Sequence, residues 1–196
     1  MMIVNKDRKV ADPRDVAYIL NIRDVLAAQN YPQILSHVDC VNRYGITLFV
    51  ELGMYMGGTL PHLIPNLVLD DRFSYLGFEI LPEAVKPQIK AFASTNPRCQ
   101  VILGDMFKYI DLVAEKIAAS AGPAYIFCDG GNKPKELITF SKLMRVGDII
   151  SVHDWTEDQT GEITDRDIEQ LSDDFETLDE EWRWGLIWLP TFIKVR

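Results

Sequence analysis

Residues 46–59, ITLFVELGMYMGGT, decide the reading of this chain. Ile46 to Val50 is a β-branched and aromatic run that stops at Glu51 and Gly53, so it reads as a short strand. Thr59 to Leu67 carries apolar residues at helical spacing. Between them lies a loop with glycines at 53, 57 and 58. Gly53 lets the chain turn sharply, and Gly57 lets a ligand approach the backbone closely. A strand, a glycine-rich loop and a helix form the first half of a βαβ unit.

The pattern repeats downstream. Strands are expected at Phe73–Phe78, Cys99–Leu103, Ala124–Cys128 and Asp148–Val152, with helices at Phe107–Ala119 and Pro134–Met144. Apolar strands alternating with helices imply a parallel sheet covered on both faces. Upstream, Asp12-Pro13 opens a helix carrying Val16, Ile19, Leu20, Val25 and Leu26. Tyr31-Pro32 opens a second, with Ile34, Leu35, Val38 and Val41 on one face, and Gly45 closes it. The expected fold is α/β, a Rossmann-like, doubly wound, mostly parallel sheet with an N-terminal helical extension. It is divided as a helical lid (1–45), a cofactor-binding core (46–155), and an acidic segment with a C-terminal edge strand (156–196). In that last part Ile163–Leu171 reads as a helix. Trp184–Leu189 and Thr191–Val195 read as one bent strand or an antiparallel pair.

The 196 residues suit one domain. No apolar run approaches the ~18 residues of a membrane helix, and Met1 to Arg14 has no signal-peptide core, so neither membrane nor secretion is expected. Cys40, Cys99 and Cys128 lie far apart and form no Cys-x-x-Cys pair, which fits a reduced, cytoplasmic setting. Twelve carboxylates and one arginine between Glu157 and Glu181 give that segment −11, so the rest is +2 against a total of −9. A protein that tracks phosphates has the opposite sign, so nucleic acid is not an expected partner.

In open parallel sheets ligands bind beyond the carboxyl ends of the strands. Five expected strands end in or beside a carboxylate: Glu51, Glu79, Asp105, Asp129 and Asp154. One such acid is no more than a helix cap, but five in order would line one crevice. The first loop is spaced Gly-x-x-x-Gly, unlike the dinucleotide fingerprint, and no Gly-Lys-Ser/Thr follows. Glu51 is an anion where a dinucleotide would bring phosphates. It suits a ligand with an ammonium group, such as the methionine part of S-adenosylmethionine. Glu79 is placed to accept from ribose hydroxyls, and Asp105 from an adenine amino group, with Met106 or Phe107 on the ring face.

The ordered set Glu51-x-Gly53-x-x-x-Gly57-Gly58-Thr59, Glu79 and Gly104-Asp105 resembles the motifs of class I S-adenosylmethionine-dependent methyltransferases. The later stretches, Phe127 to Glu136 and Val146 to Trp155, are similar to the macrocin O-methyltransferase and cephalosporin-hydroxylase-like branch, whose members modify sugars of natural products or related small molecules. The resemblance implies a cofactor site built from Glu51, Gly53, Gly57, Thr59, Glu79, Asp105, Met106 and Asp129. It also implies a divalent metal such as Mg2+ on the acid ending strand four and an acidic pair ending strand five, here Asp129 and Asp154. A histidine three residues after the first acid is that branch's proposed base. Here that position holds Asn132, which takes no proton, and the acidic pair is His153-Asp154. Asp129, His153 and Asp154 are thus the expected catalytic set.

The expected function is O-methylation of a small molecule or sugar. The alternatives are a binding protein that has lost catalysis, consistent with Asn132, or another nucleoside-cofactor enzyme on the same fold. No Asp-Pro-Pro-Tyr or Asn-Pro-Pro-Tyr signature of base methylation is present. A homo-oligomer is compatible with the sequence. Trp155, Trp182, Trp184 and Trp188 read as core or edge packing rather than a substrate wall. Lys133 and Lys135 read as a solvated helix start, and His37 and His62 as structural or exposed.

Overall fold

The computed structural model describes residues 31–155, 161–171, 173–178 and 189–196. The expected helix around Val16–Leu26, most of the lid, and Trp182, Trp184 and Trp188 lie outside the described residues.

Seven strands form one sheet: β1 Leu48–Leu52, β2 Ser74–Glu79, β3 Cys99–Leu103, β4 Ala124–Cys128, β5 Ile149–Val152, β6 Phe175–Thr177 and β7 Thr191–Lys194. Their order is β3-β2-β1-β4-β5-β7-β6. The first five run parallel, and β7 runs antiparallel to both β5 and β6. The helices are α1 Tyr31–Tyr44, α2 Leu60–Leu69, α3 Pro87–Thr95, α4 Ile110–Ala119, α5 Lys133–Ser141 and α6 Asp165–Ile168. The expected α/β Rossmann-like, doubly wound sheet is therefore observed.

The period-two direction of strand side chains separates two cores. Phe49, Tyr75, Tyr125, Phe127 and Ile149 project to one face, where α1, α2 and α3 bring Val38, Val41, Leu63, Ile64 and Ile89. Leu48, Val50, Leu52, Phe78, Ile126 and Ile150 project to the other, against Val113 and Ile117 of α4 and Leu137 and Phe140 of α5. Both faces are covered, which is why β1 and β4 are buried at every position and β4 reads as an unbroken apolar run.

Three elements differ from expectation. Helix α3 was not foreseen: Pro87 starts it, but Ile89 is its one buried residue, so its periodicity is weak. The expected helix Ile163–Leu171 shrinks to the single turn α6. Thr164 and Asp167 form a capping box there, and Ile163 bridges Trp155 instead of joining the helix. Strand β6 is three residues long and exposed at Glu176 and Thr177, too short for an alternation to register. The expected C-terminal edge strand is corrected: β7 is inserted between β5 and β6, antiparallel to both, and β6 takes the sheet edge.

Candidate functional site

Parallel pairing in register brings the carboxyl ends of β1 to β5 to one edge. Glu51, Glu79, Asp105, Asp129 and Asp154 all lie at that edge or just beyond it.

The β1 loop is fastened to its surroundings by backbone. The amides of Gly53 and Met54 both donate to Phe78 O at 3.0 Å. Gly53 has φ +93°, and a Cβ there would lie 2.5 Å from Asp129 O. Its glycine is thus required by close packing on the end of β4, as well as by the turn. Gly57 is buried and donates to Met54 O at 2.9 Å.

Glu51 is fully buried. Its carboxylate accepts from the Thr59 amide at 3.0 and 3.1 Å, from Thr59 Oγ1 at 3.1 Å, and from the Tyr75 hydroxyl. Burial pushes its pKa up to about 8, against the lowering effect of these bonds. Glu51 thus meets the loop's own donors, and its influence on a ligand ammonium runs through the shape of the loop. Gly58 is required by the same carboxylate, which a Cβ would strike. Tyr75, which sequence reasoning assigned no role, completes the buried cluster.

Glu79 is the last residue of β2 and accepts from Tyr55 N at 2.6 Å and Leu81 N at 2.8 Å. It ties the first loop to the second. Asp105 caps the 3₁₀ turn Met106–Tyr109 by accepting from Phe107 N at 3.0 Å. Met106 is buried against the second core, while Phe107 is only partly buried.

The ends of β4 and β5 carry a denser polar cluster. His153 Nδ1 lies 3.0 Å from Asp129 Oδ1 and 3.0 Å from Asp154 Oδ1. Strand alternation would turn residues 153 and 154 to opposite faces. The left-handed backbone of Asp154, φ +63°, turns both to one point. Tyr55, φ +47°, is the other non-glycine residue with positive φ among those described. Both flank the crevice, where strained backbone is often found at functional sites. On the far side of the imidazole, Gln33 Nε2 of α1 is 2.9 Å from Nε2.

Lys133 overturns its sequence reading. It is 5% exposed, not solvated, and its ammonium lies 3.0 Å from Asp154 Oδ2, 2.6 Å from Glu162 Oε2 and 3.9 Å from Asp129 Oδ1. It also donates to Gly130 O at 3.2 Å. Lys135 is exposed, with Nζ 4.0 Å above the Phe107 ring.

Burial lowers the pKa of His153, but the bonds and charges of Asp129 and Asp154 outweigh it and hold it at about 9. The His153 bond, against the cost of burial, brings Asp154 down to about 2. Burial also opposes the Lys133 charge, and its bonds to Glu162 and Asp154 more than offset this.

Asn132, at the position of the resembled branch's histidine, is the exposed cap of α5 and accepts from Lys135 N at 3.3 Å. Behind it the buried Glu136 accepts from the amides of Gly130 and Asn132, both at 3.0 Å, and holds the loop after β4. Glu136, Gln33 and Glu162 were not singled out in sequence. Elsewhere, His37 sits in the first core with Nδ1 2.9 Å from Tyr125 OH. Trp155 Nε1 donates to Asp165 Oδ1 at 2.8 Å. The three cysteines are buried and free.

One ligand atom each from Asp129, His153 and Asp154 fall within 4.8 Å of one another, close enough to share a metal ion. The donor set fits a dication less well than the spacing does. Both carboxylates share the same histidine nitrogen, and the ammonium of Lys133 already lies against Asp154.

No protein-family model matches the chain, and no curated protein does. Solved structures share its fold. One is a putative caffeoyl-CoA O-methyltransferase from Staphylococcus aureus, at 9% identity and TM-score 0.65, covering 94% of this chain and 92% of that one. A second is the O-methyltransferase TomG from Streptomyces achromogenes, involved in tomaymycin synthesis and solved with S-adenosylmethionine. It is 14% identical at TM-score 0.58, over 100% of this chain and 93% of that one. A third is the MycE methyltransferase of the mycinamycin biosynthetic pathway, in complex with Mg, its demethylated cofactor and mycinamycin VI. It is 12% identical at TM-score 0.58, over 96% of this chain and 56% of that longer one. The fold is that of these methyltransferases.

Proposed function

We propose that the chain binds S-adenosylmethionine beyond the ends of β1 to β3 and transfers its methyl group to a hydroxyl of a small molecule or sugar. One observation carries the reading. The motif residues Glu51, Gly53, Glu79 and Asp105 occur in the order of the methyltransferase set and meet at one strand edge. Opposite them, at the ends of β4 and β5, stands a cluster with proton-transfer chemistry. Neighbours such as TomG and MycE, named for small-molecule pathways, support the substrate class.

The acceptor oxygen attacks the methyl carbon in line with the carbon–sulfur bond. The carbon–oxygen bond forms as the carbon–sulfur bond breaks, and sulfur leaves as a neutral thioether. Most of the acceleration is positioning. The acceptor proton passes to the Asp129–His153 pair, whose imidazole is neutral above about pH 9. Turnover should therefore rise with pH through the neutral range.

The reading is tested by calorimetry with S-adenosylmethionine, its demethylated product and NAD. The two sulfur ligands should bind in the micromolar range, and binding of NAD alone would overturn the assignment. A panel of sugars and phenols then separates an enzyme from the second reading, a cofactor-binding protein without turnover. That reading draws on Asn132, which caps α5 and takes no proton.

A further inference from the structure

We propose that the ammonium of Lys133 supplies, from within the chain, the positive charge that a divalent cation would bring to the ends of β4 and β5. The inference deepens the methyl-transfer reading and rests on it for its meaning. Its structural content is that this centre takes no divalent metal.

Charge is the first argument. The branch that the chain resembles would present three carboxylates to its metal. Here His153 replaces one of them, so Asp129 and Asp154 remain, and Lys133 adds a cation beside them. With a neutral imidazole that inner set is formally −1, or −2 with the Glu162 carboxylate that pairs with Lys133, where the resembled pattern is −3. A hard dication such as magnesium needs anionic oxygen to offset the cost of its dehydration, and two of the four groups here are nitrogen cations or donors.

Occupancy is the second. The ammonium has three oxygen neighbours within hydrogen-bond distance: Asp154 Oδ2 at 3.0 Å, Glu162 Oε2 at 2.6 Å and Gly130 O at 3.2 Å. Three donors meet three acceptors. A lysine that is 5% exposed is retained in such a place only when it is paired. Glu162, itself exposed, holds it from the solvent side. Asp129, four residues earlier, faces it from the end of β4 at 3.9 Å.

Position is the third. Lys133 begins α5, directly after the loop fixed by Glu136. Its backbone is therefore set by the fold, and the long side chain reaches back over Gly130 into the cluster. Lys133 is thus a positioning residue. It keeps the two carboxylates close to each other and to His153, as a bound cation would, while leaving the imidazole for the acceptor's proton.

Manganese serves as the probe, because it reports its own binding by electron paramagnetic resonance. The unmodified protein should leave the free manganese signal undiminished up to about millimolar concentration. Lys133→Met, which keeps the length and removes the charge, should take up one equivalent with at least about tenfold higher affinity. Thermal unfolding confirms that the variant is folded, and Lys133→Gln provides a second neutral variant. Stoichiometric manganese binding by the unmodified protein would overturn the inference, as would folded neutral variants that take up none. Failure of the unmodified protein to bind S-adenosylmethionine would instead sink the methyltransferase reading and leave the manganese result intact.

Discussion

The end of β1 and the ends of β4 and β5 face the same crevice, and both carry carboxylates, fully buried at Glu51 and partly exposed at Asp129 and Asp154, yet they treat them in opposite ways. Glu51 is surrounded by neutral donors, the Thr59 amide and hydroxyl and the Tyr75 phenol. With no cation among the described residues beside it, burial dominates and the group holds its proton up to about pH 8. Asp129 and Asp154 have His153 and Lys133 between them, and Asp154 stays ionised down to about pH 2. A strand-end acid in this fold is therefore not one kind of residue. Neutral partners make it a brace for a loop, and cationic partners make it part of a charged centre able to move protons.

The largest effect that tests the contrast is expected in the glycines of the two loops. Gly53→Ala places a methyl group 2.5 Å from Asp129 O at φ +93°, with backbone on the other side that cannot give way. It should cost roughly 3 kcal/mol or more of stability and abolish cofactor binding. Gly131, in the loop after β4, has nothing within 4 Å of an added Cβ. Gly131→Ala should change the unfolding midpoint little. Thermal denaturation of both variants checks this, and equal melting temperatures would show that the first loop is not the tighter one.

At the charged end, Asp129→Asn keeps the shape and removes the charge that orients His153. Turnover should fall about 10²-fold or more, while the dissociation constant for S-adenosylmethionine changes much less. If both move together, Asp129 belongs to the cofactor site rather than to proton transfer. The complementary change is Glu79→Ala, measured by calorimetry. It should weaken cofactor binding by about 1.5–3 kcal/mol. Part of that loss is indirect, because the amides of Tyr55 and Leu81 lose their acceptor.

The same contrast marks what the sequence made legible. Strands β1 to β5 and the five acids at their ends could be read directly, because buried parallel strands are continuous apolar runs and each ends at a polar residue. The loop from Glu51 to Thr59 was legible through its glycines. What those glycines pack against was not, since Asp129 O is brought beside Gly53 only by the pairing of β1 with β4. Lys133 was misread for a related reason. A lysine beside a proline at a helix start is usually solvated, and its burial depends on Asp154 and Glu162, 21 and 29 residues further along. His153 and Asp154 share one point only because Asp154 takes a left-handed conformation, which no side-chain pattern announces. Tyr75 was counted as strand, and nothing in its own neighbourhood points to Glu51.

The smallest expected effect is the most selective, because it separates the two ends by pH alone. Glu51 holds its proton to about pH 8 when folded, against an ordinary value near 4.5. The folded state therefore binds a proton that the unfolded state releases. Stability from this group is fully present below about pH 4.5 and is lost as pH rises through about 8. His153, at about 9 against 6.5, contributes stability that is fully present below about pH 6.5 and lost as pH rises through about 9. Asp154 has the opposite sign: its contribution is present above about pH 3.8 and lost as pH falls through about 2. Between about pH 5 and 6.5 the slope belongs mainly to Glu51, and between about pH 8 and 9 mainly to His153. Glu51→Gln retains an oxygen for the Thr59 amide and cannot ionise, so it should flatten the first window, on the order of 1–2 kcal/mol, and leave the second unchanged. His153→Gln should do the reverse. Guanidinium unfolding at four pH values across the two windows measures both. If the unmodified protein and Glu51→Gln have the same slope below about pH 6.5, the Glu51 carboxylate is ionised in the folded protein, and the distinction between a neutral brace and a charged centre fails.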